Sequence, residues 1–246
     1  MENSIEYKGR NIGSKPLHAM FEAIPRHYDL VNRVITFGLD KQWRRRAAQT
    51  CLVSRPRRVL DLCCGTGDLA IDLARSAESG TEVTGADYSK SMLELAKTKA
   101  GQMVPDKKIS FVCGEAARLP FDDSYFECIG VSFAFRNLTY QNPFAQNHLG
   151  EILRVLNDGG RCVIVETSQP RSRVIRSLYH LYLRYYVYPL GRLLSGNKGA
   201  YRYLSESARR YYSAQELKEL LLTSGFREVS FMPLCFGAVG IYVAVK

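Results

Sequence analysis

Long apolar runs are missing from this chain of 246 residues. No stretch of about 18 or more apolar residues occurs, so we expect no membrane-spanning helix. The first sixteen residues are polar and lack the apolar block of a signal peptide. Because 46% of the residues are hydrophobic, the chain can still bury a full core. We therefore expect a globular protein of the cytoplasm.

Cysteine pairs at short spacing are missing as well. The seven cysteines are scattered along the chain, and no Cys-x-x-Cys pair occurs among them. An odd count without paired spacing argues against a disulfide framework and against a zinc site. We expect buried, reduced thiols and no bound metal.

Acidic residues are scarce in one basic segment. Residues 171–212 contain nine arginines and lysines but a single acid, Glu206, and this segment carries most of the net charge of +10. Such a concentration of positive charge suits nucleic acid or an anionic membrane surface.

The same segment shows a two-faced helical pattern. One face carries Arg173, Arg176, His180 and Arg184, and the other carries Val174, Leu178, Leu181, Tyr185 and Tyr188. A basic face beside an aromatic face suits transient contact with an anionic membrane, so the protein can lie peripherally on its inner face. The alternative is a solvated basic face over a packed aromatic one.

Strands and helices alternate from residue 58 onward. Apolar strands are predicted at 58–62, 82–87, 109–114, 126–135 and 161–167, and two more close the chain. Ser89 is predicted to cap the helix after the second strand, and a helix over 144–156 should end at an Asn-Asp-Gly-Gly turn. A capped helix beginning at Ser213 should end at Gly225.

This alternation predicts a doubly wound α/β fold, which is a mostly parallel sheet with helices on both faces. The last two strands have no clear helix between them and predict an antiparallel edge. We expect one domain over residues 1–246, with an N-terminal helical cap over 1–50 and an inserted helical segment over 171–205.

The stretch VLDLCCGTGDLA is the strongest motif. A strand containing Asp61 leads into a turn with Gly65 and Gly67, and a helix follows. Glycines let the backbone approach a ligand closely, and Asp87, at the end of the next strand, can accept hydrogen bonds from ribose hydroxyls. The spacing also fits a dinucleotide fingerprint, but Asp61 and Asp68 would repel a pyrophosphate and attract a sulfonium or an ammonium.

Several blocks together resemble a known family. The stretches FEAIPRHYDLVNRVITFGLDKQWRR, VLDLCCGTGDLA, ADYSKSML, ARLPFDDSYFECIGVSFAFRN and YYSAQELKELLLTSGF are similar to the class I methyltransferases, and among them to the demethylmenaquinone and ubiquinone ring C-methyltransferases. The resemblance covers about residues 17–246. It implies a Rossmann-like fold, S-adenosylmethionine as cofactor, and a lipophilic prenylated quinol as substrate.

The resemblance also implies roles for single residues. The cofactor should be bound by residues of the glycine loop and of the strand ends, namely Asp61, Gly65, Thr66, Gly67, Asp87, Tyr88, Glu115, Ala116 and Ser132. The substrate pocket is expected at Arg136 and Asn137, with a surface turn as the alternative. Some positions depart from the family pattern: Cys63 replaces a glycine, Asn157-Asp158 a Lys-Pro pair and Tyr212-Ser213 a Phe-Pro pair, while the last strand reads Gly-Ile-Tyr-Val-Ala, which bears on the choice of quinone.

A methyl transfer to a ring carbon needs a hydroquinone that has lost a proton, so a base and a cation are expected near the ring. Candidates are His27, Tyr28, Asp29 and Arg136. The first two are alternatively packing residues of the cap, and Asp29 is alternatively a helix N-cap.

Competing functions are a methyltransferase for another small acceptor, such as a sterol-like or polyketide substrate, an RNA-modifying protein, and a nicotinamide-dependent oxidoreductase. No Asn/Asp-Pro-Pro-Tyr tetrapeptide follows the fourth strand, so we expect no nucleic-acid partner. A homo-oligomer is compatible with the sequence.

Overall fold

The computed structural model describes residues 25–195 and 198–246. Its strands are β1 (Arg58–Leu62), β2 (Glu82–Asp87), β3 (Ile109–Cys113), β4 (Phe126–Ser132), β5 (Leu156–Thr167), β6 (Glu228–Leu234) and β7 (Val239–Val245). Its helices are α1 (Pro25–Ile35), α2 (Leu39–Leu52), α3 (Asp68–Ser76), α4 (Lys90–Met103), α5 (Phe135–Thr139), α6 (Ala145–Val155), α7 (Arg173–Tyr182), α8 (Tyr188–Ser195), α9 (Lys198–Arg210) and α10 (Ala214–Thr223). A π-helical turn (Leu183–Val187) joins α7 to α8, and a 3₁₀ turn (Cys235–Gly237) joins β6 to β7.

The strands form one sheet in the order β3-β2-β1-β4-β5-β7-β6. The pairings from β3 to β5 are parallel, and β7 runs antiparallel to both of its neighbours. The predicted doubly wound fold is confirmed; its antiparallel strand β7 lies one place inside the edge strand β6. Strand order reverses between β1 and β4, and folds of this kind bind ligands beyond the carboxyl ends of the strands at that point.

Both faces of the sheet are buried, which accounts for the continuous apolar character of the central strands. Leu60, Ile129 and Ile164 pack in one core cluster, together with apolar residues of α6 and α10. Val59 and Val163 point to the opposite face and pack in a second cluster with residues of α2 and α3. The alternation of neighbouring residues between the two clusters fixes the register of β1 and β5.

Two strand boundaries differ from the sequence prediction by three residues or more. Strand β4 ends at Ser132 instead of residue 135, because Phe133 turns into left-handed backbone at φ 55° and α5 follows. Strand β5 begins at Leu156, before the predicted turn. The turn residues form a bulge inside the strand. Phe126 of β4 pairs with Leu156, but Cys128 pairs with Arg161, and Gly159 between them has φ 75°.

The predicted helix caps are confirmed. Ser89 accepts a hydrogen bond from the backbone N–H of Met92 at 3.3 Å. Ser213 and Glu216 form a reciprocal capping box at the start of α10, and Gly225 follows that helix in left-handed conformation at φ 115°.

The basic segment folds as a run of helices, from α7 through α9. The predicted helix before Pro25 lies outside the described residues. Within the described ranges, no helix combines the length and the apolar character that a bilayer crossing requires. The expectation of buried thiols is wrong at Cys113 and Cys235, which are exposed, whereas Cys51, Cys64, Cys128 and Cys162 are buried.

Candidate active site

The glycine loop joins β1 to α3 through left-handed backbone. Cys63, Gly65 and Gly67 have φ angles of 56°, 53° and 80°. This conformation is uncommon for a residue with a Cβ, which explains why a glycine is the ordinary choice at position 63. Gly67 has no room for a side chain, because a Cβ there would lie 3.0 Å from the Cβ of Ala96. The loop is therefore packed tightly between β1 and α4.

Two carboxylates lie beside this loop on neighbouring strands. Asp87 accepts hydrogen bonds from the backbone N–H of Gly65 at 2.8 Å and of Ser89 at 2.9 Å. Asp61 accepts one from the backbone N–H of Ala70 at 2.8 Å, while its Oδ1 atom is buried without a hydrogen-bond partner among the described residues. Burial raises the pKa of Asp61 well above its usual value, and the nearby carboxylate of Asp87 adds to the effect. A bound cation would lower that pKa again.

A cavity extends from the loop along the carboxyl ends of β1, β2 and β4, and we call it the loop cavity. Eight of the nine residues predicted to bind the cofactor line it: Asp61, Gly65, Thr66, Asp87, Tyr88, Glu115, Ala116 and Ser132. The ninth, Gly67, is the N-cap of α3. Asn137 also lines this cavity and accepts a hydrogen bond from the Tyr203 hydroxyl at 3.3 Å.

An ionic network ties helix α1 to the glycine loop. Asp29 accepts hydrogen bonds from the Thr66 hydroxyl at 2.7 Å and from Lys99 at 2.6 Å. Lys99 also pairs with Asp68 at 2.7 Å, and Arg44 pairs with Asp68 at 3.0 Å. Burial opposes the ionisation of Asp68, but Arg44 and Lys99 outweigh it and lower its pKa. The network therefore fixes α1 and α2 against the loop.

This setting bears on the two interpretations of Asp29. The N-cap alternative is wrong, because α1 begins at Pro25 and Asp29 lies inside it. A role as base stays a prediction, and Asp29 lines neither this cavity nor the one described next. His27 and Tyr28 lie in α1, but their side chains are outside the described part of the structure.

A second cavity of about 540 Å³ adjoins the first, and we call it the apolar cavity. Its walls come from the turn between α1 and α2, from α7 and the π-helical turn, and from the 3₁₀ turn before β7. Apolar side chains dominate the wall: Ile35, Phe37, Leu39, Trp43, Phe133, Ile175, Leu178, Leu183, Val187, Leu204, Phe236, Ala238 and Val239. Asn32, Arg44 and Phe133 line both cavities, so the two spaces share a wall.

Arg136 is a buried charged group in the wall of the apolar cavity, which it shares with Asp40 and Arg44, and its burial places it at the inner end. It is 4% exposed, so the alternative of a surface turn is wrong. Its Nη1 atom donates to Glu166 at 3.1 Å and to the Thr167 hydroxyl at 2.9 Å, and its backbone N–H donates to Glu166 at 3.1 Å. Its Nε atom is buried without a hydrogen-bond partner among the described residues.

The family follows from comparison with known proteins. Residues 10–246 match the ubiE/COQ5 methyltransferase family. The chain belongs to this family. It is 40% identical over 227 residues to a demethylmenaquinone methyltransferase of Deinococcus radiodurans, covering 92% of this chain and 91% of that protein. It is 35% identical over 227 residues to a ubiquinone/menaquinone biosynthesis C-methyltransferase of Geobacter sulfurreducens, covering 92% and 87%.

The fold agrees with this assignment. A crystal structure of a SAM-dependent methyltransferase from Aquifex aeolicus superposes with a TM-score of 0.56 at 17% identity, covering 81% of this chain and 89% of that one. The predicted family, methyltransferase activity and cofactor S-adenosylmethionine are confirmed.

Several residues of this methyltransferase site were missed in the sequence. Glu166 ends the apolar run of β5 just as Asp87 ends β2, so its position at a carboxyl end could have identified it. Lys99, Arg44 and Tyr179 lie on helices, where an isolated polar or aromatic residue gives no comparable signal. Only the folded chain brings Arg44 and Tyr179 to the cavities and Lys99 to the glycine loop.

Proposed function

We propose that this methyltransferase transfers a methyl group to a ring carbon of a prenylated hydroquinone, with demethylmenaquinol as the acceptor. The apolar cavity beside the loop cavity carries the proposal. Its size lies within the usual range of ligand pockets, and its wall suits a fused aromatic ring with an isoprenoid tail. The name of the Deinococcus relative supports a naphthoquinol over a benzoquinol.

The loop cavity has the chemistry that S-adenosylmethionine requires. The unpartnered Oδ1 atom of Asp61 is an acceptor for the ammonium group. Asp87 accepts backbone hydrogen bonds from Gly65 and Ser89, which fix its carboxylate at the end of β2, and we assign this carboxylate to the ribose hydroxyls. We assign Glu115 and Ala116 to the adenine, and Ser132 to the methionine half.

When bound, S-adenosylmethionine supplies a methyl group on a positively charged sulfur. The enzyme's own part is then to align the ring and to stabilise its ionised form. An oxidised quinone carbon is electron-poor and cannot attack, so the substrate must be the reduced quinol. Arg136 is paired with Glu166, so it would act on a ring oxygen through its buried, unpartnered Nε–H and less as a free charge.

The test is methyl transfer from labelled S-adenosylmethionine to short-tailed demethylmenaquinol, with and without dithionite. We expect product only under reducing conditions. Equal rates in the two conditions would refute the quinol requirement. Cells that lack this gene should accumulate a quinone lighter by one CH₂ unit, and an unchanged quinone profile would refute the assignment.

We also infer that the enzyme takes its acceptor from an anionic membrane. The insert exposes large apolar side chains, namely Val174, Leu178, Leu181, Tyr185 and Leu193. Arg173 and Arg184 are exposed beside them, whereas His180 is half-buried and hydrogen-bonded to Gln169 at 2.9 Å. His180 therefore does not belong to the basic face that the sequence predicts.

Two exposed phenylalanines at the apolar cavity support this inference. Phe37 is 70% exposed and Phe236 is 84% exposed, and both line the cavity from separate turns. Both have left-handed backbone, at φ 54° and 56°, which costs a residue with a Cβ about 1–3 kcal/mol. Phe37 stacks on Tyr186 with ring centroids 5.3 Å apart. Their exposure beside the insert suits insertion between lipids at the mouth of the cavity.

Vesicle binding tests this inference. We expect the protein to sediment with vesicles that contain anionic phospholipid and to remain free with neutral ones. Phe236→Ser should weaken that binding several-fold. Val53→Ser is a matched control, because Val53 is 68% exposed but precedes β1, at the amino end of the sheet. Equal binding by both variants would refute the role of the phenylalanines.

A further inference from the structure

Buried polar atoms without a partner cluster at the two cavities. Among the described residues, six side-chain atoms are of this kind: Arg44 Nε, Asp61 Oδ1, Arg136 Nε, Asn157 Oδ1, Tyr179 Oη and Arg209 Nε. Arg44, Asp61, Arg136 and Tyr179 line a cavity. Leaving a buried polar group unpaired is unfavourable, so such atoms at a cavity wall mark where a ligand can supply the partner.

Tyr179 is the one of these four that no earlier step uses. It lies on α7 with its ring half-buried, and it lines the apolar cavity. Thr167 is a polar neighbour of its hydroxyl. The Thr167 hydroxyl, however, already donates to Glu166 at 3.0 Å and accepts from Arg136 at 2.9 Å. No hydrogen bond of acceptable geometry joins it to the Tyr179 hydroxyl, which is buried without a partner among the described residues, so the hydrogen of Tyr179 remains available to another acceptor.

The charge state of Tyr179 suits a donor. Burial raises the pKa of Tyr179 above its usual value. The positive charge of the nearby Arg136 lowers this pKa, but by a smaller amount. The hydroxyl therefore stays protonated at neutral pH. Together with Arg136 Nε, it gives the inner end of the apolar cavity two unused N–H or O–H donors. Two donors on neighbouring residues of one cavity wall favour an anionic oxygen over a neutral one.

We propose that Tyr179 binds the ionised ring oxygen of the hydroquinone, with Arg136 Nε as the second donor. The inference rests on the proposed function and adds a substrate-binding residue to it. The ring then lies with this oxygen at the inner end, and its tail leads toward Phe37 and Phe236 at the mouth. Tyr179 keeps its proton throughout.

The reaction balances without any further reactant. The ring hydroxyl loses its proton to solvent, and the resulting negative charge is shared with the neighbouring ring carbon. That carbon forms the new C–C bond as the methyl–sulfur bond breaks, with the electron pair leaving on sulfur. The same carbon then loses its hydrogen as a proton to water, which restores the aromatic ring. Tyr179 contributes by holding the negative oxygen before and during the transfer.

The variant Tyr179→Phe in the full chain tests the proposal, with Tyr211→Phe as its matched control. Tyr211 is buried outside both cavities, and its hydroxyl is hydrogen-bonded to that of Thr139 at 3.4 Å. We expect Tyr179→Phe to slow single-turnover methyl transfer to reduced short-tailed demethylmenaquinol by roughly 100-fold, the range for loss of one oxyanion donor. The affinity for S-adenosylmethionine should not change. Tyr211→Phe should keep a near-normal rate.

Two readouts do not depend on turnover. Tyr179→Phe removes an unpartnered hydroxyl and should melt at the same or a higher temperature, whereas Tyr211→Phe loses a buried hydrogen bond and should melt at a lower one. The chromophore 4-nitro-1-naphthol should bind wild type as its coloured anion, and Tyr179→Phe should shift the bound probe toward its neutral form.

The outcomes separate the two proposals. The wild-type enzyme could methylate the quinol while Tyr179→Phe shows a normal rate and normal ionisation of the bound probe. That result would overturn the role of Tyr179 and leave the proposed function standing. Absence of quinol methylation in wild type would overturn the proposed function. If the bound probe nevertheless ionised in wild type and not in Tyr179→Phe, the donor site would stand and a different ligand would have to be assigned to it.

Discussion

Removing the guanidinium of Arg136 should destabilise the fold as well as slow the reaction. In the structure its side chain is 5% exposed and that of Glu166 is 0% exposed. Loss of one partner from a buried pair costs about 3–5 kcal/mol, because the other charge stays buried. Glu166 would keep the backbone N–H of residues 136 and 167 and the Thr167 hydroxyl as donors. We therefore expect Arg136→Met to lose about 3 kcal/mol of unfolding free energy, the lower end of that range.

The assay is urea unfolding followed by the fluorescence of Trp43, the single tryptophan, which lines the apolar cavity. The double variant Arg136→Met/Glu166→Gln removes the stranded charge and should recover most of the loss. A single variant within about 0.5 kcal/mol of wild type would refute the reasoning, since surface substitutions have effects of that size. Activity of Arg136 variants should therefore be measured only where the protein is folded.

Three further predictions concern the loop cavity and a helix start. Asp87→Ala should lower the unfolding free energy by about 3 kcal/mol, through loss of two hydrogen bonds to a charged acceptor, and weaken S-adenosylmethionine binding at least tenfold. A wild-type affinity of Asp87→Ala for S-adenosylmethionine in calorimetry would contradict this prediction. Asp87→Asn, which keeps one acceptor oxygen, should recover part of the stability. Because the pKa of Asp61 is raised in the free protein, a cation that ionises it releases a proton, so cofactor affinity should rise with pH up to that pKa. Asp61→Asn should remove this rise in affinity. If the rise persists in the variant, another titrating group must cause it. Ser213→Ala should cost about 1 kcal/mol in urea unfolding, and an unchanged midpoint would show that the capping box adds nothing.

The strands that hold the loop could be predicted from sequence to the residue. β1 is a short apolar run that leads into the glycine turn, and β2 is one that ends at Asp87, and local composition decides such boundaries. β4 could not be bounded in the same way, because Phe133 has strong strand propensity yet turns into left-handed backbone. That turn depends on the neighbouring strand, since the Phe133 N–H donates to the carbonyl of Val165 at 2.9 Å.

The site residues divide along a similar line. Asp61 and Asp87 could be identified because each belongs to a strand that leads into a turn, and parallel strands end at one edge. The pairing of Arg136 with Glu166 joins residues 30 apart on different elements, and the network of Lys99 joins residues up to 70 apart. No local pattern reports such partners, so the sequence could propose Arg136 as a catalytic cation without showing that its charge is already paired.

The helical wall of the apolar cavity could not be predicted, for a different reason. The amphipathic pattern of α7 admits two interpretations, a membrane-facing helix or a packed one, and the structure shows features of both. None of its residues is fully buried, yet Ile175, Leu178 and Tyr179 line the apolar cavity while Val174 and Leu181 are exposed. A helix that packs on a closed core buries its apolar stripe. A helix that covers a cavity leaves this stripe partly exposed, because part of its contact area is reserved for the ligand. Incomplete burial of α7 is therefore what a wall around a lipophilic substrate requires.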